Sequence, residues 1–203
     1  NNASLAAAIE KAKGYSLPKD KIKTAIDKAF GTGKDAANYE TLTYEGYGVG
    51  GSAVIITTLT DNVNRTAGDV RSTMSKCGGQ MGNTGCVSYM FDKKGCIVVE
   101  RTPSLDEDTM MEYCLEAGAD DYVAQDDAYE VYCAPESFSA VRAALEAKGL
   151  NFFEAAVRMI PQNYITLDEE KLATFTKMLD KLNELDDVQD VYHNVELPEE
   201  EDE

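Results

Sequence analysis

The chain has 203 residues, is 43% hydrophobic and carries a formal net charge of −18. No apolar run approaches the ~18 residues that a membrane-crossing helix needs, and the acidic balance argues against nucleic acid wrapping the chain as a whole. Five cysteines with no CxxC spacing and a single His193 make a poor zinc set, and read instead as reduced, mostly buried thiols of a cytoplasmic protein.

The charge is uneven. Residues 1–34 hold seven lysines against Glu10, Asp20 and Asp27, a local +4 that leaves −22 on the rest. A polyanion would therefore meet the N-terminal end, where Lys11, Lys13, Lys19, Lys21, Lys23 and Lys28 are the candidate contacts. A solvated lysine face is the competing explanation. Two short helices open the chain. Leu5, Ala8, Ile9 and Ala12 share one face before Gly14, and Ile22, Ala25, Ile26 and Ala29 repeat the spacing from Pro18 to Gly31 and Gly33. They form a partial N-terminal helical domain over residues 1–37.

From Thr41 the period becomes two, with strands predicted over 41–47 and 52–60. Gly46, Gly48 and Gly51 between them fit GxGxxG. A β-branched strand follows these glycines instead of a helix, so no helix end is offered to a phosphate, and the segment is a close-packed turn that binds no cofactor. A helix capped by Asn64 carries Ala67, Val70, Met74 and Cys77. The glycine-rich stretch Gly78–Gly85 leads to a strand over Cys86–Phe91, a turn at Lys93, Lys94 and Gly95, and a strand over Ile97–Glu100.

Ser104 and Glu107 suggest a capping box for a helix holding Met111, Cys114 and Leu115 that ends near Gly118. Strands over Tyr122–Gln125 and Tyr129–Cys133 follow, then a helix from Pro135 to Gly149 and an extended segment over Phe152–Met159. After Pro161 come a strand over Tyr164–Leu167, a helix with Leu172, Phe175, Leu179, Leu182 and Leu185 on one face, and a last strand over Val188–Asn194. Glu199–Glu203 reads as a disordered acidic tail. Residues 96–159 spell β-α-β-β-α-β, and so do residues 52–91 joined to 160–195. The expected fold is α+β, with a ferredoxin-like domain over 95–159 inserted in a central one built from 38–94 and 160–198.

Asp61, Asn62, Asn64 and Arg65 lie between a strand and a helix, where amides and a guanidinium could face phosphate, although an N-cap with an ion-paired arginine explains them too. Lys76, Lys93 and Lys94 are further candidate phosphate contacts. Gly78, Gly79 and Gln80 match the tripeptide that release factors carry into the ribosome. They are read as an accidental echo on a projecting, contact-making loop. His193 reads as a residue hydrogen-bonded in the core or between domains. The paired acids Asp120 and Asp121, Asp126 and Asp127, and Asp186 and Asp187 read as turn caps, so neither catalytic nor metal-ligating residues are expected.

In order along the chain, LPKDKIKTAIDKA (Leu17 to Ala29), NYETLTYEGYGVGG (Asn38 to Gly51), LTDNVNRT (Leu59 to Thr66) and CGGQMGNTGCVSYMFDKKG (Cys77 to Gly95), followed by EAGADD, MIPQN and VQDVYHN, resemble the YebC/PmpR family. Its mitochondrial member is the translational activator of cytochrome oxidase. Two departures stand out. The family begins with a further basic helical segment, starting near Gly-His-Ser-Lys-Trp, which is expected to precede Asn1. Its glycine turn commonly has Pro where this chain has Val49. The resemblance implies a cytoplasmic, monomeric, non-enzymatic regulator of gene expression that needs no cofactor. Bacterial members look like DNA-binding transcriptional regulators, while others act on translation or on stalled ribosomes, so the implied partners are DNA, ribosomal RNA and the ribosome. A ligand-sensing ferredoxin-like module is the alternative, since such domains pack in pairs and bind small molecules between them.

Overall fold

Alternation from Glu40 and the β-branched run from Ala53 produce an antiparallel pair, β1 (Glu40–Tyr47) and β2 (Ala53–Thr60). They are joined by a tight 3₁₀ turn in which Gly50 has φ 70°. A Cβ on Gly46 would stand 2.4 Å from the Gln80 carbonyl oxygen, so that glycine serves close backbone approach, whereas Gly51 has open space around it and serves its φ of 78°. The computed structural model describes Leu5, Ile9, residues 18–29 and residues 39–198. Leu5 and Ile9 are helical, and α1 spans Lys19–Ala29. The expectations for Ala8, Ala12, Gly14, Gly31, Gly33 and the acidic tail lie outside the described residues.

The remaining elements are α2 (Val63–Lys76), β3 (Gln80–Met81), β4 (Phe91–Glu100), α3 (Glu107–Ala117), β5 (Asp121–Ala124), β6 (Ala128–Cys133), α4 (Phe138–Ala147), β7 (Phe152–Pro161), α5 (Glu169–Asn183) and β8 (Val188–His193). They build two four-stranded antiparallel sheets, ordered β3–β1–β2–β8 and β5–β6–β4–β7. The second is a ferredoxin-like β-α-β-β-α-β unit, and it is inserted between β3 and α5 of the first. In the first sheet β1 fills the slot between β3 and β2.

Each sheet has helices on one face. Val54 and Ile56 pack with Val70 and Met74 of α2 and with Phe175, Met178 and Leu182 of α5. Ile97, Val99 and Val131 pack with Met110 of α3 and with Val141 and Leu145 of α4. The opposite face of the first sheet is covered in part. Ala53 and Ile55 meet Val87 and Phe91, with Met159 and Tyr192 alongside. Burial on both faces is why β2 reads as a continuous apolar run. Four of the five cysteines are buried and all are free.

Five local expectations need correction. Cys86–Phe91 is no strand: Ser88–Met90 form one 3₁₀ turn, and Val87 buries into the junction between the sheets. No turn interrupts Lys93–Gly95, because the β4–β7 ladder runs through Lys93↔Met159, Lys94↔Arg158 and Gly95↔Val157. Gly95 is there for packing: a Cβ would stand 2.7 Å from Cys133 Sγ and 2.8 Å from Phe138 Cδ2. The cap of α2 is Asn62, not Asn64. The cap of α3 is Asp106, which accepts from the Thr109 amide at 2.8 Å, so Ser104 and Glu107 make no capping box. Tyr164–Leu167 contributes a single bridge, Ile165 to Val195.

Candidate nucleic-acid interface

The cations single out where a polyanion could attach. Lys19, Lys21 and Lys23 are exposed on α1, and Lys28 lies in its last turn. Lys11 and Lys13 fall outside the described residues. Lys76 is exposed in the last turn of α2, where the negative end of the helix dipole favours a cation.

The Asn62–Arg65 segment is bonded internally. Asn62 Oδ1 accepts from the Arg65 amide at 3.1 Å. The Arg65 guanidinium lies 2.8 Å from Asp61 and 2.9 Å from Asp187. Asp187 also accepts from Thr66 Oγ1 at 2.6 Å and Thr60 Oγ1 at 3.1 Å. Burial alone would push its carboxyl up, but the bonds from Thr66, Arg65 and Thr60 hold it below the usual aspartate value. Asn64 stands exposed in the first turn of α2. The adjoining concavity, about 500 Å³, is lined by Asp61, Asp69, Glu184, Asp186 and Asp187. Five carboxylates around one guanidinium repel phosphate.

Gly78–Gln80 does not project as a loop. Gly78 is exposed with φ 75°, but Gly79 is wedged against the Tyr47 carbonyl and the Met178 sulfur, and Gln80 is paired with Tyr47 in the sheet. The exposed loop begins at Gly82. Sequence reasoning missed what holds it. Glu45, 5% exposed, accepts from the amides of Gly85 at 2.8 Å, Val87 at 3.0 Å and Ser88 at 2.9 Å. Burial would raise its carboxyl, yet those amides bring it below the ordinary glutamate value. Tyr47 Oη donates to the Cys86 carbonyl at 2.9 Å and ties the same loop to β1. The available hint was an acid on a strand face followed by a glycine-rich stretch with unclaimed amides.

Lys93 and Lys94 sit on adjacent rungs of β4 instead of a hairpin tip. Lys94 lies over the Tyr132 ring at 5.9 Å and faces Arg158 across the ladder. Arg158 pairs with Glu154. Lys93 is exposed and enters no ion pair among the described residues. Beside these rungs a cleft of about 710 Å³ separates the uncovered part of the first sheet from the β4–β7 end of the second. Thr41, Thr43, Thr57, Lys93, Arg158 and Tyr192 are among its walls. Burial, reinforced by Asp190, pushes the Tyr192 phenol up to about 12, so it stays neutral in ordinary buffers.

His193 packs edge-on to Phe175 at 5.1 Å, and its Nδ1 accepts from the Val195 amide at 3.3 Å. Burial lowers its pKa and favours the neutral ring. This is the core role its sequence context suggests. Among the described residues, no group of three or more His, Cys, Asp or Glu could hold a metal ion, and no helix is long and apolar enough to cross a membrane.

The family model described as the TACO1/YebC second and third domain matches residues 39–195. A probable transcriptional regulatory protein of Clostridium botulinum strain Hall is 51% identical over 199 residues, covering 98% of this chain and 80% of that protein. Its counterpart in Clostridium perfringens strain SM101 is 52% identical over 198 residues with the same coverage. Among solved structures, a conserved hypothetical protein from Aquifex aeolicus superposes with a TM-score of 0.81 at 39% identity, over 95% of this chain and 79% of that one.

Proposed function

Since the chain belongs to the TACO1/YebC family, we propose that it is a cytoplasmic, monomeric, non-enzymatic regulator of gene expression that works by binding nucleic acid. The observation that carries this reading is the separation of charge. The lysines of α1 and the Lys93–Lys94–Arg158 rungs present cations, on a body that is otherwise acidic enough to repel a polyanion. The α1 lysines supply electrostatic attachment. Lys76, Lys93 and Lys94 supply contacts on the body, and the glycine stretch from Gly78 lies next to them in the chain. Arg65 and Asn62 are held by their own neighbours and contribute little.

An acidic body limits contact to one end or edge. Duplex binders spread positive charge over a broad footprint, so this distribution suits a cleft in ribosomal RNA better than a promoter. The test is sedimentation of lysate containing the full-length protein, with and without RNase. Co-migration with ribosomes that RNase abolishes is the expected result. A protein that stays at the top of the gradient but retards a promoter fragment would replace the translational reading with the transcriptional one named for its relatives.

A further inference from the structure

We propose that the cleft between the uncovered face of the first sheet and the Lys93–Arg158 end of the second is a seat for single-stranded RNA. This deepens the nucleic-acid reading above and rests on it. Charge is the first argument. The concavity beside Arg65 is walled by five carboxylates, whereas this one has Lys93 and Arg158 against Asp190. Arg158 shares its charge with Glu154, but Lys93 is uncommitted and stands free to meet a phosphate.

Shape is the second argument. About 710 Å³ lies within the ~300–1,000 Å³ that encloses a small organic ligand. One or two unstacked nucleotides enter such a space, and a duplex does not. The third argument is the surface chemistry. Leu59, 40% exposed, and the half-buried Tyr192 ring offer apolar surface to a base on the flat sheet. Thr41 and Thr43 are exposed on the same face of β1, where their hydroxyls can bond a 2′-hydroxyl. A free phosphorylated nucleoside shares part of this chemistry. A strand of RNA is favoured because the cleft is open to solvent along the sheet and carries a single uncommitted cation, which is weak for a phosphate monoester but suits one backbone phosphodiester among several.

The experiment is fluorescence anisotropy of the full chain with a labelled oligouridine about eight nucleotides long, a length typical of single-strand sites, alongside the matched DNA. RNA should bind more tightly than DNA. Lys93→Glu should weaken RNA binding about tenfold at low salt and lower the salt slope by about one to two. Thr43→Val, which suits an exposed strand position, should narrow the gap between RNA and DNA. Unchanged affinity in both variants while ribosome co-sedimentation persists removes the cleft and leaves the proposed function standing. Wild-type protein that travels with ribosomes but ignores the oligomer has the same meaning. Loss of both activities in the wild type removes both readings. Uridine monophosphate competing as well as the oligomer would make the cleft a small-ligand site and overturn the proposal.

Discussion

A carboxylate at 5% exposure is costly unless its oxygens are bonded, and Glu45 meets that condition with three main-chain amides. Replacing it by Gln keeps the size but turns one acceptor into a donor aimed at another N–H. A bond to a charged group contributes roughly 1.5–3 kcal/mol, so Glu45→Gln should cost about 2 kcal/mol near pH 7. The pH dependence has a definite sign. The folded carboxyl lies below its ordinary value, so its stabilisation is complete above that value and is lost as pH falls through the folded pKa. Wild type and variant should therefore converge on acidification. Urea unfolding at pH 7 and again at the lowest pH where the fold persists checks this. A gap of the same size at both values would mean that the charge on Glu45 is not what the amides respond to. Hydrogen exchange at Gly85, Val87 and Ser88 should quicken in the variant, because Glu45 closes the loop these residues belong to.

At the scale of the element, β4 separates what the sequence discloses from what it hides. The apolar alternation of Ile97 and Val99 is plain, as are the inward faces of α2, α4 and α5 and the continuous run in β2, because burial imposes a period. On α3 the sequence misleads, since Met110 and Cys114 are buried whereas Met111 and Leu115 are exposed. Lys93–Lys94–Gly95 has the chemistry of a turn, and nothing local shows that α4 presses on Gly95 from across the sheet. Cys86–Phe91 carries a strand pattern, yet Val87 is apolar because it buries from a loop into a junction between two units. Only Phe91 belongs to a strand, as the first residue of β4. Asn62 and Asn64 are equally good caps by residue type, and the bond that Asn62 Oδ1 accepts from the Arg65 amide settles the register. The lysines of the candidate interface are legible as charges, but their partners are not. The glutamate that fixes the exposed loop answers to amides some forty residues away. One substitution tests the packing role of Gly95. A methyl group at 2.7 Å from Cys133 Sγ and 2.8 Å from Phe138 Cδ2 overfills a layer that has no room for it. Gly95→Ala should cost about 1–3 kcal/mol, the usual range for overpacking, read as a lower urea midpoint with an unchanged slope. An unchanged midpoint would restore a loosely packed, turn-like role for this glycine.

Across the whole molecule, the relation between the two sheets decides whether the cleft has a fixed shape. Units joined in one chain move relative to each other unless their contact is large and apolar. Here the inserted unit leaves and rejoins the first at paired positions, Phe91 opposite Pro161 at one end of the β4–β7 ladder. The apolar cluster of Ala53, Ile55, Val87 and Phe91, with Met159 and Tyr192, lies at that end. Two covalent crossings and a dry contact at the same place favour unfolding in a single transition, and they hold Lys93, two residues beyond Phe91, at the mouth of the cleft. Phe91 is 5% exposed, and truncating a buried Phe to Ala costs about 3–5 kcal/mol. That loss falls on the coupling and leaves the separate cores of Phe175 and Val131 untouched. Phe91→Ala should accordingly split one urea transition into two. Amide exchange in β2 and in β6, the heart of each sheet, would report them separately. Oligouridine binding should weaken in the same variant although no cleft charge has been altered. If the variant instead loses stability in one transition shared by both sheets, the junction is an ordinary part of a continuous core, and the cleft owes its shape to something other than this contact.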